Sequence, residues 1–313
     1  MTRALVFPGQ GSQAVGMGRD LAGAFVAARE VFEEVDEALR QQLSRLMFEG
    51  PEDELTLTEN AQPALMAVSL AALRVLEREG GFDLTRHAAF VAGHSLGEYS
   101  ALAAARAFSL ADAARLLKRR GLAMQRAVPV GKGAMAALLG LDLDAARGVA
   151  EEAAQGEVCA VANDNGAGQV VVSGDKAAVE RAVALAAGKG AKRSIMLPVS
   201  APFHCPLMAP AAREMEEALA EVELREPYVP LVANVTAAPV SDPDEIKRLL
   251  VAQVTGLVRW RESVLAMKAA GAHELIELGA GRVLSGLARR IDRDLATHSI
   301  GGPAEVETFV KTL

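Results

Sequence analysis

Between residues 134 and 199 strand-like and helix-like segments follow one another in the order β-α-β-β-α-β. Residues 134–140 are apolar and strand-like, 143–154 are helical, and 158–162 and 169–173 are two further strands. Residues 176–187 are helical again and 192–197 return to a strand. Asn163-Asp164-Asn165-Gly166 supplies turn chemistry between the central strands. This order is the split βαβ, or ferredoxin-like, signature, and it marks residues 131–199 as a sub-domain. On both sides the pattern alternates differently. Strand-like runs at 3–8, 88–93, 229–234 and 274–278 are separated by helical stretches at 21–46 (with a break), 63–78, 96–106, 111–126, 206–222, 245–254, 263–270 and 283–290. Alternation of this kind calls for an α/β fold with a largely parallel sheet. The large domain is therefore discontinuous, residues 1–130 and 200–313, with the smaller unit inserted. A chain of 313 residues is the right size for that pair.

The core available to this fold is aliphatic. Hydrophobic residues make up 51% of the chain but aromatic ones only 4%, so Ala, Val and Leu must fill the interior. Thirty-three basic against 40 acidic side chains leave a net charge of −7. That balance argues against nucleic acid or an anionic membrane as the main partner. Cys159 and Cys205 form neither a disulfide framework nor a metal-ligand spacing, and no metal is expected. The apolar run that opens the chain is too short for a signal peptide, and no stretch reaches the roughly 20 apolar residues of a membrane span. A cytoplasmic setting is expected.

The chemistry concentrates at Gly93-His94-Ser95-Leu96-Gly97-Glu98, which fits G-x-S-x-G. It stands after an apolar strand and before a helix, where a sharp turn pushes a serine hydroxyl clear of the sheet. The flanking glycines let neighbouring backbone approach, and the amide after the serine can point at an oxyanion. The helix N-terminus favours the developing negative charge. A serine needs a base, and the chain offers five histidines. His94 abuts Ser95, and adjacent side chains on a tight turn diverge. His87 stands at the wrong end of the strand that carries Ser95, while His273 and His298 read as packing or surface residues. His204 lies between Pro202 and Pro206, where the chain re-enters the large domain. A rigid loop at a domain junction aims an imidazole well. The residues alone leave two readings of His204 open, general base and loop packing. Its neighbour Cys205 reads as a small apolar residue.

Several spaced motifs extend this picture: Phe7-Pro8-Gly9-Gln10-Gly11-Ser12-Gln13, Gln62-Pro63-Ala64-Leu65, Gly93 to Tyr99, Arg120-Gly121, Asn163 with Gly168-Gln169-Val170-Val171, and Pro198 to His204. In this order and spacing the chain resembles the malonyl-CoA:acyl carrier protein transacylases of type II fatty-acid synthesis, over essentially its whole length. The resemblance implies an α/β-hydrolase-like large domain with an inserted ferredoxin-like sub-domain. It makes Ser95 the acyl carrier and His204 its base, with the Gln253 backbone carbonyl orienting His204 in place of a carboxylate. The backbone amides of Gln10 and Leu96 would form the oxyanion hole, and Arg120 would hold the malonyl carboxylate, which its planar fork suits. His94, Gln62 and Asn163 would line the pocket. Without the resemblance, Arg120 reads like Lys118 and Arg119, as a cation near a helix end. Thr255-Gly256 stands where related enzymes often carry Asn-Pro.

The implied substrate is malonyl-CoA, with no bound cofactor. The implied partner is an acyl carrier protein bearing phosphopantetheine, and a monomer is expected. Carrier proteins are acidic, so a basic face is needed on a chain of net charge −7. Lys192 and Arg193, with Arg289 and Arg290, are the candidate docking residues; Arg282 lies near the second pair. A discrete polyketide acyltransferase would share every motif. A serine esterase would share the elbow and normally add a carboxylate. A non-catalytic scaffold has no need to keep Ser95, His204 and Arg120 together.

Overall fold

The computed structural model describes residues 2–313. The amino-terminal part builds the first strand and a helical layer. β1 (Arg3–Phe7) leads into α1 (Arg19–Ala24), α2 (Val26–Leu39), α3 (Leu43–Glu49), α4 (Glu52–Thr56) and the long α5 (Thr58–Gly80). A short α6 (Leu84–His87) precedes β2 (Phe90–Gly93), α7 (Gly97–Ala104) and α8 (Leu110–Ala127). The stretch expected as one broken helix over 21–46 is thus three. Arg40, in the left-handed region at φ 50°, closes the second of them.

Two expectations in this part need correction. Pro63 does not sit in a first turn, because α5 begins at Thr58. The helix runs through the proline since it is buried along nearly its whole length, so packing overrides the missing N–H. Gly121 of α8 lies against its first turn, where an added Cβ would stand 2.5 Å from Glu59 Cα. Lys118, Arg119 and Arg120 are not at a helix end either, since α8 continues to Ala127. Lys118 Nζ donates to Gln41 Oε1 at 2.9 Å and Asn60 Oδ1 at 2.8 Å, while Arg119 pairs with Glu221 at 3.1 Å. Partners across the helical layer hold them, not a helix dipole.

The inserted unit runs β3 (Gly133–Leu139), α9 (Leu143–Ala154), β4 (Cys159–Asp164), β5 (Gln169–Asp175), α10 (Lys176–Gly188) and β6 (Arg193–Met196). Its sheet is antiparallel, in the order β4-β5-β3-β6. Successive strand residues face opposite sides. Ala134, Ala136 and Leu138 of β3 pack with Val149, Val179 and Ala182 of α9 and α10, while Met135 and Ala137 join the main core of the large domain. That second face looks toward the site.

After a 3-10 turn at Pro206–Met208 come α11 (Ala209–Ala220), β7 (Leu231–Val232), β8 (Pro239–Val240) and α12 (Pro243–Thr255). The chain ends with α13 (Trp260–Ala269), β9 (Glu274–Leu278), α14 (Val283–Ile291), β10 (Ala296–Ile300) and α15 (Pro303–Val310). The large sheet has the order β10-β9-β1-β2-β7-β8 and is parallel except for β8. The strand expected over 229–234 pairs at Leu231 and Val232 only, and its antiparallel partner β8 was not legible in the sequence. The α/β class and the inserted split-βαβ unit are as the sequence indicates.

The two units are joined by backbone. Val258 N donates to Ala162 O and Asp164 N to Val258 O, each at 2.9 Å, and Asp164, 2% exposed, takes Arg261 Nε at 2.9 Å.

Candidate active site

β1 and β2 end together, with Phe7 opposite Gly93, and the chain then turns sharply into α7. His94 N donates to Phe7 O at 3.0 Å, and Ser95 adopts φ 54°, a left-handed conformation that a non-glycine residue holds only under constraint. The glycines on either side make the turn possible. A Cβ at Gly93 would meet Gly97 C at 1.9 Å, and one at Gly97 would meet Phe7 O at 2.3 Å. Asn234, just past β7, ties the turn down: its Oδ1 accepts from Ser95 N at 2.8 Å and its Nδ2 donates to Gly93 O at 2.7 Å.

Ser95 Oγ lies 2.8 Å from His204 Nε2, and His204 Nδ1 lies 2.8 Å from the Gln253 carbonyl. Because a carbonyl only accepts, Nδ1 carries the proton and Nε2 is free to take one from the serine. Helix geometry supplies that carbonyl. Gln253 is in the last turn of α12, where carbonyls lack intrahelical partners, and Gly256 N also reaches it at 3.3 Å. Thr255-Gly256 therefore ends the helix with the orienting carbonyl presented to His204. Burial first, and then the positive charge of Arg120, push the His204 pKa down to about 3, so the ring is neutral at neutral pH.

Arg120 projects from the middle of α8 and is 1% exposed. Its Nη1 donates to Gln62 Oε1 at 2.8 Å, and its Nη2 to Gln253 Oε1 at 2.8 Å and Ser95 Oγ at 3.1 Å. All three acceptors are uncharged, and its Nε has no partner among the described residues. Tyr99 presents its ring 5.7 Å from the guanidinium carbon. Burial lowers the Arg120 pKa, but a guanidinium stays charged. A buried cation with neutral partners is costly, and an anion beside Ser95 would relieve that cost.

These groups open into a cavity of about 420 Å³. Gln10, Leu96, Gln62, His94, Asn163 and Arg120 all line it with Ser95 and His204. Leu96 is the N-cap of α7 and lines the cavity, while the amides that follow it, Gly97 N and Glu98 N, donate to His94 O and Ser95 O at 3.0 Å each. His94 turns away from Ser95 and meets Asn165 Oδ1 at 2.9 Å, and burial lowers its pKa. Cys205 is not among the lining residues. Its Sγ donates to Pro202 O at 3.1 Å and burial pushes the thiol pKa up. His87 Nδ1 accepts from Asp83 N, and His298 lies 2.6 Å from Glu274 at the far edge of the sheet. Lys192, Arg193, Arg289 and Arg290 are exposed and lie outside the cavity, and Arg289 is tied to Thr297 Oγ1 at 2.7 Å.

Sequence reasoning missed two residues here, Glu98 and Asn234. Both are buried, and although Glu98 closes the elbow motif, its partners Asn234 and Gln253 lie far away along the chain. The Asn234 clasp spans 139 residues, which no spacing along the chain reveals.

A family model for the acyl transferase domain matches residues 4–292. The chain belongs to the acyl transferase family. This acyl transferase is 45% identical over 311 residues to the malonyl CoA-acyl carrier protein transacylase of Bacillus subtilis (strain 168), covering 99% of this chain and 96% of that protein. It is 46% identical over 301 residues to the protein of the same name from Escherichia coli (strain K12), covering 96% of each. Among solved structures it is similar to the acyl-carrier-protein S-malonyltransferase of Bartonella henselae, with a TM-score of 0.97, 56% identity, and coverage of 100% of this chain and 99% of that one. A malonyl-transacylase solved in complex with its type II polyketide acyl-carrier protein superposes with a TM-score of 0.96 at 42% identity, each chain fully covered.

Proposed function

We propose that this acyl transferase moves the malonyl group from malonyl-CoA to the phosphopantetheine thiol of an acyl carrier protein, through a malonyl ester on Ser95, to supply fatty-acid synthesis. The observation that carries the reading is the buried Arg120 guanidinium, held by neutral partners 3.1 Å from Ser95 Oγ. An acyl group bound to that serine and ending in a carboxylate pairs with it.

In the first half-reaction Ser95 Oγ attacks the thioester carbonyl while its proton passes to His204 Nε2. The C–O bond forms, and the oxyanion is received by the backbone amides of Gln10 and Leu96. The C–S bond then breaks, and coenzyme A leaves as the thiol with the proton from His204. In the second half-reaction the pantetheine thiol gives its proton to His204 and attacks the ester. The Ser95 C–O bond breaks, and Ser95 recovers the proton. Gln253 keeps the imidazole in one tautomer through both steps, and Gln62 holds Arg120. His94 and Asn163 shape the pocket wall. An esterase reading has less support, because no carboxylate orients His204: a carbonyl does.

Incubation with malonyl-CoA alone is the test, read by intact-mass spectrometry and peptide mapping. One malonyl adduct on Ser95, discharged by holo carrier protein, is expected. Ser95→Ala loses the adduct, and His204→Ala slows both half-reactions by about 10²–10⁴-fold, the usual contribution of a positioned base. An adduct that persists in Ser95→Ala, or maps to Cys205, rejects the assignment. The polyketide neighbour favours one second reading, in which a polyketide carrier discharges the ester faster than a fatty-acid carrier.

A further inference from the structure

Behind Ser95, on the side away from the cavity, Glu98 is 1% exposed. Its Oε1 accepts from Asn234 N at 2.6 Å, and its Oε2 accepts from Gln253 Nε2. The same Nε2 donates to Ser95 O at 2.9 Å, while Gln253 Oε1 accepts from Arg120 Nη2 at 2.8 Å. Gln253 is completely buried. Its Nε2 thus faces Glu98 Oε2, Ser95 O and, at 3.5 Å, Asn234 Oδ1, with a donor on the other side, and only one of the two amide orientations satisfies them. We propose that Glu98 is a positioning residue for recognition of the acyl carboxylate: by accepting from Gln253 Nε2 together with Ser95 O, it holds the amide in place with its oxygen toward Arg120, and so aims the guanidinium at the group carried by Ser95.

Glu98 does this without touching the substrate, and nothing in the transfer chemistry uses it. A buried carboxylic side chain in that place is otherwise costly. Its two oxygens divide their work. One holds the Asn234 backbone, whose side chain clasps both ends of the strained elbow, and the other sets the Gln253 side chain. The first task bears on every acyl group, the second on carboxylated ones only. The inference rests on Arg120 as the holder of the malonyl carboxylate.

Glu98→Gln separates the two tasks. The new amide has one oxygen, and the Asn234 N–H is backbone that cannot turn away, so that oxygen goes to Asn234. Its NH2 then faces Gln253 Nε2, donor against donor, and because Ser95 O and Arg120 both oppose turning the amide over, the Gln253 side chain is pushed off its position and its oxygen is drawn out of line with Arg120. Acylation of Ser95 is measured with malonyl-CoA and acetyl-CoA in wild type, Glu98→Gln, Glu98→Asp, Gln253→Met and Arg120→Ala. In Glu98→Gln the malonyl-to-acetyl ratio of kcat/KM falls on the order of 10–100-fold, as expected for hydrogen bonds to a charged group. The loss appears in KM for malonyl-CoA, with acetyl transfer retained. Glu98→Asp keeps two acceptors and holds the ratio near wild type even where both rates drop. Gln253→Met removes the acceptor directly and lowers the ratio whether or not Glu98→Gln folds. A ratio unchanged in Glu98→Gln or Gln253→Met, while Arg120→Ala lowers it, overturns the role of Glu98. A ratio unchanged in Arg120→Ala removes the reading of Arg120 on which it stands.

Discussion

At Ser95 and His204 the acid–base work depends on a ring kept neutral by its surroundings. Burial is the larger cause of the low His204 pKa, about 3, and the Arg120 charge adds to it. A general base works unprotonated, so its activity is present above the folded pKa and lost as pH falls through it. An ordinary imidazole titrates near 6.5, whereas this one stays unprotonated far below. The Ser95 acylation rate is therefore expected to be flat between about pH 8 and pH 5, where an unperturbed histidine would already have lost most of its activity. Arg120→Ala, assayed with acetyl-CoA, removes one cause and moves the acid limb upward, though not to 6.5, because burial remains. Rapid-quench acylation rates across that range check it, and a wild-type limb near 6.5 contradicts it. Ser95 was open to a reader of the chain through the glycines of its elbow, whereas the residues alone left His204 divided between general base and loop packing, and only the family resemblance separated Arg120 from its neighbours Lys118 and Arg119. Glu98 stood in plain view in the elbow motif, yet its role depends on Asn234 and Gln253, 136 and 155 residues away.

Elements are held in place by close backbone contacts that side chains would prevent. Gly97 starts α7 directly against the end of β1, and a Cβ there would lie 2.3 Å from Phe7 O and 3.0 Å from Phe7 C. Both are backbone atoms in the central sheet and cannot swing aside. Gly97→Ala is expected to cost on the order of 1–3 kcal/mol, the usual size of overpacking, and to lower Ser95 acylation because the elbow must open. Gly148 in α9 provides the contrast, since an added Cβ meets nothing within 4 Å. Gly148→Ala should match or exceed wild-type stability by about 0.5–1 kcal/mol through lost chain entropy, with acylation unchanged. Thermal melts and acylation rates on the two variants check both, and a Gly97→Ala protein as stable and active as wild type would show the contact to be soft. The same contrast explains which elements were legible. The strand before the elbow announces itself by apolar residues and a glycine turn. By contrast, β7 and β8 are two-residue strands, and the first turn of α5 is set by packing against Gly121 of α8, a contact no local pattern carries.

For the whole molecule, the inserted unit must bring its second sheet face to the elbow while leaving a route for a partner protein. The β-α-β-β-α-β order was readable because its turns are local, but its seat on the large domain was not, since Val258, Arg261 and His94 reach it from distant parts of the chain. Within that seat the 164–168 loop joins the two basic groups. Gly168 packs at Gly140, which Lys192 also covers, and Gly166 packs at Ile291, next to Arg290; an added Cβ would meet Gly140 Cα at 3.3 Å and Ile291 Cγ1 at 2.5 Å. Asn165 of the same loop holds His94 beside Ser95. We propose that Lys192, Arg193, Arg289 and Arg290 border one face on which an acidic carrier protein docks, its arm reaching the cavity past this loop. Two net-negative partners gain encounter rate from such a patch. Reversing the four to Glu, singly and together, is expected to lower transfer to carrier protein progressively and remove its dependence on ionic strength, while malonylation of Ser95 from malonyl-CoA stays near wild type. Arg289, already tied to Thr297, should contribute least. Transfer to carrier protein that is unchanged in the quadruple variant places the docking face elsewhere, and a matching fall in malonylation from malonyl-CoA would mean that the charges serve the coenzyme instead.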